Sequence, residues 1–207
     1  MDISHAYGIH FSEVFEDEVG KMARKVNGKI GLLLSAGHDS PCIAIALHNN
    51  KIPFIAYTHT MTIKNEDVDT LEGITKYVHT HRFVEFDTPG DLFTKVALKD
   101  NLSGVFAGLG GDEMCSGNWQ GIEEYIYLFQ RACQWNQLEP LLPYCNIRVA
   151  NAYDEHGYDG RKPLQNYLKR HGVPLPRKKV AFSDYLDKRG REYAKETENE
   201  SAVAGSA

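Results

Sequence analysis

Lys29-Ile30-Gly31-Leu32-Leu33-Leu34-Ser35-Ala36-Gly37-His38-Asp39-Ser40-Pro41-Cys42-Ile43-Ala44-Ile45-Ala46-Leu47 is the stretch that decides the fold of this chain. Lys29 through Leu34 form a short, nearly continuous apolar run, the pattern of a strand buried on both faces in a parallel sheet. A turn-rich polar segment follows at 35–40, and Pro41 then stands where the first turn of a helix accepts proline. Cys42 through Leu47 continue that helix. Strand, polar turn, helix is one βα unit.

Working outward, the same outline recurs. Upstream, Phe11, Val14, Phe15, Val19, Met22 and Ala23 recur at helical spacing over 11–26, until Asn27-Gly28 breaks the pattern. Downstream, residues 52–57 predict a second strand, and 67–78 a helix with Val68, Leu71, Ile74 and Val78 on one side. Residues 82–86 predict a third strand, 92–98 a helix and 104–107 a fourth strand, which ends in the polar turn 108–113. From 122 to 142 the pattern is helical and aromatic (Tyr125, Tyr127, Phe129, Trp135), and packing in the core is the expected role of those rings, ahead of an aromatic substrate pocket. Alternating strands and helices predict an α/β fold, a mostly parallel doubly wound sheet with a short helical C-terminal part. Ligands in such folds bind at the carboxyl ends of the strands, the edge that carries both polar turns. One domain is expected over 1–190, its helical part at about 120–190, followed by a polar, flexible tail at 191–207.

Bulk properties narrow the class. With 42% apolar and 25% charged residues, the 207-residue chain has the composition of an ordinary globular protein rather than a disordered or fibrous one. A formal charge of −5 disfavours a nucleic-acid partner. No apolar run approaches the roughly 20 residues that cross a bilayer, so no membrane partner is expected. Met1-Asp2-Ile3-Ser4-His5 lacks the basic-then-apolar order of a secretion signal, and a cytoplasmic location is expected. Cys42, Cys115, Cys133 and Cys145 are irregularly spaced without a Cys-x-x-Cys pair, which suits free thiols packed mostly as small hydrophobes.

The first polar turn admits two chemistries. Its small residues would let the backbone approach an anion, Ser35 and Ser40 could add hydroxyl donors, and Asp39 would repel phosphate unless a magnesium ion lay between them. Equally, the turn could merely cap the following helix, with Ser40 as its N-cap. Leu34 through Ser40 resembles the Ser-Gly-Gly-x-Asp-Ser pyrophosphate loop of the N-type ATP pyrophosphatases, with Ala36 in place of the first glycine. Gly108-Leu109-Gly110-Gly111-Asp112-Glu113-Met114-Cys115-Ser116-Gly117 resembles the Gly-Glu-Gly-Ser-Asp-Glu-Leu-Phe-Gly-Gly stretch of asparagine synthetases. Arg177-Lys178-Lys179-Val180-Ala181-Phe182-Ser183-Asp184 resembles their C-terminal Arg-x-Lys-x-x-Phe-Ser-Asp. The three segments keep the family's order.

The resemblance implies an adenine nucleotide alpha hydrolase-like fold and an amide ligase that cleaves ATP to AMP and pyrophosphate. ATP and Mg2+ are the implied cofactors, and a small-molecule carboxylate and an amine or ammonia the implied substrates. Asp39 and Asp112 would contact the metal; Leu34, Ser35, Gly37, Ser40, Gly108, Gly110 and Arg177 would bind the nucleotide; Lys179, Asp112 and Glu113 would act in catalysis. A glutaminase domain does not fit before the strand at Lys29, so nitrogen is expected from free ammonia, another amine or a separate glutaminase subunit. A homodimer is compatible with this reading.

Leu109 departs from the family where asparagine synthetases carry the glutamate implied to deprotonate the attacking nitrogen. Leucine accepts no proton, so Glu113, His38 or His81 would have to substitute. Two other readings stay open: a relative that adenylates a nucleoside, tRNA or DNA base carbonyl, and a degenerate nucleotide-binding or partner-interaction module.

Overall fold

The computed structural model of the chain describes residues 3–59, 68–85, 100–154 and 160–176, and the side chains within these apart from those of residues 3–9 and 68. In chain order the described elements begin with α1 (Ile3–Lys25), β1 (Lys29–Leu33), α2 (Asp39–Asn49), β2 (Ile55–His59), α3 (Val68–Thr75), β3 (Thr80–Val84) and β4 (Leu102–Phe106). They continue with α4 (Gly111–Ser116), α5 (Ile122–Trp135), β5 (Glu139–Leu141), a 3-10 turn (Pro143–Cys145), α6 (Ile147–Asp154) and α7 (Lys162–Arg170).

The five strands form one sheet in the order β3-β2-β1-β4-β5, and every adjacent pair is parallel. From β1 the chain moves outward through β2 to β3, then returns to the other side of β1 with β4 and β5. The direction of progression therefore reverses between β1 and β4. In doubly wound sheets, ligands bind beyond the carboxyl edge at such a switch point. The segments after β1 and β4 are the two polar turns.

Alternation along the strands explains why β1 reads as unbroken apolar sequence. Ile30, Leu32 and Leu34 join a buried cluster with Phe11, Phe15, Ile43, Leu47, Leu164 and Leu168, which lies between one face of the sheet and α1, α2 and α7. Leu33, the intervening residue, packs on the opposite face with Tyr57, Val105, Phe129, Cys133 and Leu142. A side-chain period of two therefore buries consecutive residues on both faces, and the α/β doubly wound class is realised. In α1, Phe11, Phe15, Val19 and Ala23 recur every four residues and place one stripe of the helix in the core.

Several boundaries depart from the sequence expectation. The second strand spans 55–59 rather than 52–57, because Pro53 cannot donate to a ladder and the Ile52 N–H is spent on the Leu47 carbonyl. The third strand lies at 80–84 rather than 82–86. The helical reading through 142 fails beyond Trp135: Gln137 takes a left-handed φ of 56°, and Glu139-Pro140-Leu141 then pairs with Gly104-Val105-Phe106 as an edge strand. Core packing was the wrong expectation for most of the α5 rings. Phe129 is buried, but Tyr125, Tyr127 and Trp135 are exposed. The helix expected at 92–98 and the tail at 191–207 lie outside the described residues. No helix among the described residues is long and apolar enough to cross a membrane.

Candidate functional site

Leu34 directly follows β1, and its backbone is held from β2: its N–H donates to the Tyr57 carbonyl at 2.8 Å, and its own carbonyl accepts the Thr58 hydroxyl at 2.9 Å. The loop beyond it closes on itself. Ser35 N donates to Ser40 Oγ at 2.9 Å, the two serine hydroxyls lie 3.1 Å apart, and Gly37 N donates to Ser35 Oγ at 3.3 Å. Ser40 is thus not the N-cap of α2. It lies inside the helix, which starts at Asp39, and its hydroxyl folds back across the loop while His38 takes the capping position without a side-chain cap bond. An anion entering this loop would exchange with these internal bonds at Ser35 N, Gly37 N and the two serine hydroxyls. The exchange suits a loop of this kind, since each bond replaced is a neutral one and a phosphate oxygen accepts charge-assisted ones.

The second loop is built to touch the first. Gly110 takes a left-handed φ of 89° that turns the chain into α4. A Cβ on Gly111 would fall 2.5 Å from Asp39 Oδ1, and one on Gly108 would fall 2.9 Å from Asp39 Cβ. Both glycines therefore serve close approach: a side chain at either position would displace Asp39. Asp112 directly follows Gly111, so the carboxylate-bearing segments of the two loops adjoin. Both carboxylates are half-buried.

Tyr144, Cys42 and Cys115 are neutral groups close to Asp39. Tyr144 is fully buried and donates its hydroxyl to the Asp39 carbonyl at 2.8 Å. Burial pushes its pKa well above the usual tyrosine range, and the nearby Cys42 and the Asp39 charge add to the effect. Cys42 is held well above the usual thiol range by burial and then by Asp39. Cys115 is pushed up to about 12 by burial and by Asp39, against the opposing Arg161 charge. The thiols stay protonated at neutral pH, so the negative charge here is that of carboxylates, which is oxygen-donor chemistry suited to a hard cation.

Asp112 forms an ion pair with Arg161, Nη2 to Oδ1 at 2.7 Å, with the two side chains 36% and 28% exposed. Among the described residues no group of three or more His, Cys, Asp or Glu side chains could hold a metal. A metal resting on Asp39 and Asp112 would therefore complete its shell with phosphate oxygens and water, the usual manner of magnesium beside nucleotides. The glycine-lined approach to Asp39 and the all-oxygen donor set fit that ion.

The remaining expected site residues divide into three groups. Glu113 is half-buried beside Asp112 on α4, and its charge acts on both Cys115 and Cys145. Leu109 packs partly buried against the second core cluster, while its carbonyl lies 3.8 Å from the exposed Cys145 thiol. Cys42, Cys115 and Cys133 are buried, in line with thiols packed mostly as small hydrophobes, and Cys145 is the exposed one. His38 is buried at the start of α2. His81 lies 2.7 Å from Thr58 Oγ1. Thr58 has one proton and gives it to Leu34, so His81 Nε2 is the donor in that contact and offers no base there. Arg177 and Lys179 lie outside the described residues.

Sequence reasoning does not single out Tyr144, Thr58 or Arg161 for the site. Each acts through one atom at the carboxyl edge, and no local pattern announces such a contact.

No protein-family model matches the chain, and no curated protein matches it.

Proposed function

We propose that this chain is an AMP-forming amide ligase of the asparagine synthetase type, which activates a small carboxylate with ATP for attack by ammonia or another amine. The observation that carries the reading is the closure of the two polar loops at the switch point: Gly108 and Gly111 admit Asp39 to the edge that bears Asp112. A crevice with two carboxylates and a serine-glycine loop suits a metal-bound polyphosphate.

In this reading the carboxylate oxygen attacks the α-phosphorus, the bond to the bridging oxygen breaks, and pyrophosphate leaves with the electron pair. The amine then attacks the activated carbonyl, and AMP departs as the amide forms. When bound, magnesium supplies positive charge against the phosphates. Ser35, Gly37 and Ser40 exchange their mutual hydrogen bonds for bonds to pyrophosphate, and Asp39 and Asp112 hold the metal. Leu34, with its N–H and one lone pair spent on β2, keeps a second carbonyl lone pair for the nucleotide. By resemblance, Lys179 neutralises charge that develops as the carboxylate attacks, with Arg177 on the leaving pyrophosphate. A preorganised cation in that position typically accounts for on the order of 3–4 kcal/mol of barrier. Leu109 leaves these steps untouched and shifts the question to the acceptor: its side chain accepts no proton, so the incoming amine arrives neutral or loses its proton to another group such as Glu113.

The test is ATP–pyrophosphate exchange across a panel of amino acids and other small carboxylates, with and without ammonia. Carboxylate-dependent exchange supports the reading, and dependence on aspartate would name asparagine as the product. Absence of exchange with every carboxylate tested, together with no detectable nucleotide binding, would overturn it in favour of a non-catalytic module.

A further inference from the structure

Arg161 stands immediately before α7, whose Leu164, Tyr167 and Leu168 are buried against α1 and α2. Its backbone is fixed from two sides. The Tyr153 hydroxyl lies 2.6 Å from the Gly160 carbonyl and 3.2 Å from the Cys115 carbonyl, which ties the residue before Arg161 to α4. The Cys42 thiol donates to the Leu164 carbonyl at 3.7 Å, which ties α7 to the helix that begins at Asp39. A long, half-exposed side chain therefore springs from an anchored base and ends on the carboxylate expected to meet the metal.

We propose that Arg161 is a polyphosphate-binding residue of this site, held on Asp112 in the nucleotide-free protein and passed to the β- and γ-phosphates when nucleotide arrives. The inference rests on the proposed function and adds a cation that the family motifs did not supply. Its physical basis is an exchange of partners. Asp112 cannot give the same oxygen fully to a guanidinium and to a divalent ion, so metal arriving with the nucleotide competes for the oxygen that Arg161 holds. The displaced guanidinium then faces phosphate oxygens, for which its planar fork is well matched. The ion pair is partly solvated on both sides, which keeps its rupture inexpensive.

The experiment measures calorimetric binding of MgATP, magnesium pyrophosphate and AMP to the full chain, to Arg161→Ala and to Arg161→Lys. Mn2+ alone is titrated into each as a metal probe, and thermal unfolding is followed in parallel. Arg161→Ala is expected to lose about tenfold or more in affinity for ATP and pyrophosphate, with AMP changed by less than about twofold. It is also expected to bind Mn2+ alone more tightly than the parent, because the competing cation is gone. Arg161→Lys, which keeps the charge without the fork, should fall between the two, and it carries the test should the alanine variant not fold. Equal weakening for ATP and AMP, unchanged pyrophosphate affinity, or weaker Mn2+ binding would reduce Arg161 to a buttress of Asp112. A parent chain that binds neither ATP nor pyrophosphate would overturn the proposed function itself, and this inference with it.

Discussion

Gly111 and Asp39 are in such close register that a single methyl group on the glycine would fall 2.5 Å from the aspartate Oδ1. Gly111 opens α4 with ordinary helical backbone, so the constraint is steric and not conformational. Gly111→Ala should force the Asp39 carboxylate or the loop after β4 to shift, at an overpacking cost of about 1–3 kcal/mol. The variant is expected to melt lower and to lose MgATP binding more severely than AMP binding, since the displaced carboxylate faces the metal. Differential scanning calorimetry and nucleotide titration on one preparation check both halves. Unaltered MgATP affinity in a folded Gly111→Ala would separate Asp39 from the metal.

Ser40 offers a second handle on the same crevice. Its hydroxyl oxygen accepts the Ser35 N–H and lies within reach of the Ser35 hydroxyl and carbonyl. Ser40→Ala leaves the partly buried Ser35 N–H without that acceptor, an expected loss of about 1–3 kcal/mol in stability. Saturating pyrophosphate should restore much of the lost thermal stability if phosphate oxygens take over the donor, because a ligand bound only to the folded state raises its melting temperature. A shift in melting temperature with pyrophosphate that is absent from both parent and variant would leave Ser40 with a purely structural role.

The parts of this architecture legible in the sequence are those whose physics is local. Lys29 through Leu34 read as a doubly buried strand because Leu32 and Leu33 are both apolar yet face different clusters. The loops after β1 and β4 read as polar turns at one edge because parallel strands must all end on the same side. Glu139-Pro140-Leu141 did not read as a strand: three residues give no period, and proline masks an edge position that tolerates it. Arg161 and Asp112 are far apart in sequence, and nothing in either neighbourhood signals their pairing. The rings of α5 misled for a related reason. Aromatic residues spaced for a helix do not say which side meets the sheet, and here Tyr127 and Trp135 instead flank the Arg131 guanidinium at the surface, at 5.9 and 5.3 Å.

Leu109 allows the acceptor half of the reaction to be tested apart from activation. Its side chain borders an apolar cluster, and its carbonyl faces the Cys145 thiol. Leu109→Glu should leave carboxylate-dependent pyrophosphate exchange within about twofold of the parent, because the substitution touches no group assigned to phosphate. Ammonia-dependent amide formation should rise, most clearly at pH values where ammonium predominates. Some stability will be lost as a carboxylate replaces packed leucine, so exchange and amide formation are to be compared as a ratio in each preparation. A fall in exchange itself would place Leu109 nearer the triphosphate than the resemblance implies.

His81 predicts a pH dependence of stability whose sign can be worked out. Burial lowers its pKa below the ordinary histidine range, and its Nε2 hydrogen is committed to Thr58, which in turn holds the Leu34 carbonyl. The neutral ring is the form the fold accepts. Above the unfolded-state pKa of about 6.5, both states carry a neutral ring and the site is indifferent to pH. As pH falls below that value the unfolded chain takes up the proton first, so stability declines until the folded pKa is reached, where the decline levels off. His171 is lowered by burial as well and contributes in the same direction. His81→Gln keeps a donor for Thr58 but cannot titrate. Denaturant unfolding at pH 7.5 and 5.5 should therefore show a smaller loss on acidification in the variant than in the parent. Because Thr58 links the ring to Leu34, nucleotide affinity should follow the same pH trend in the parent and flatten in His81→Gln. Equal acid sensitivity in the two proteins would assign the whole dependence to His171 and the carboxylates, and would detach His81 from the nucleotide edge.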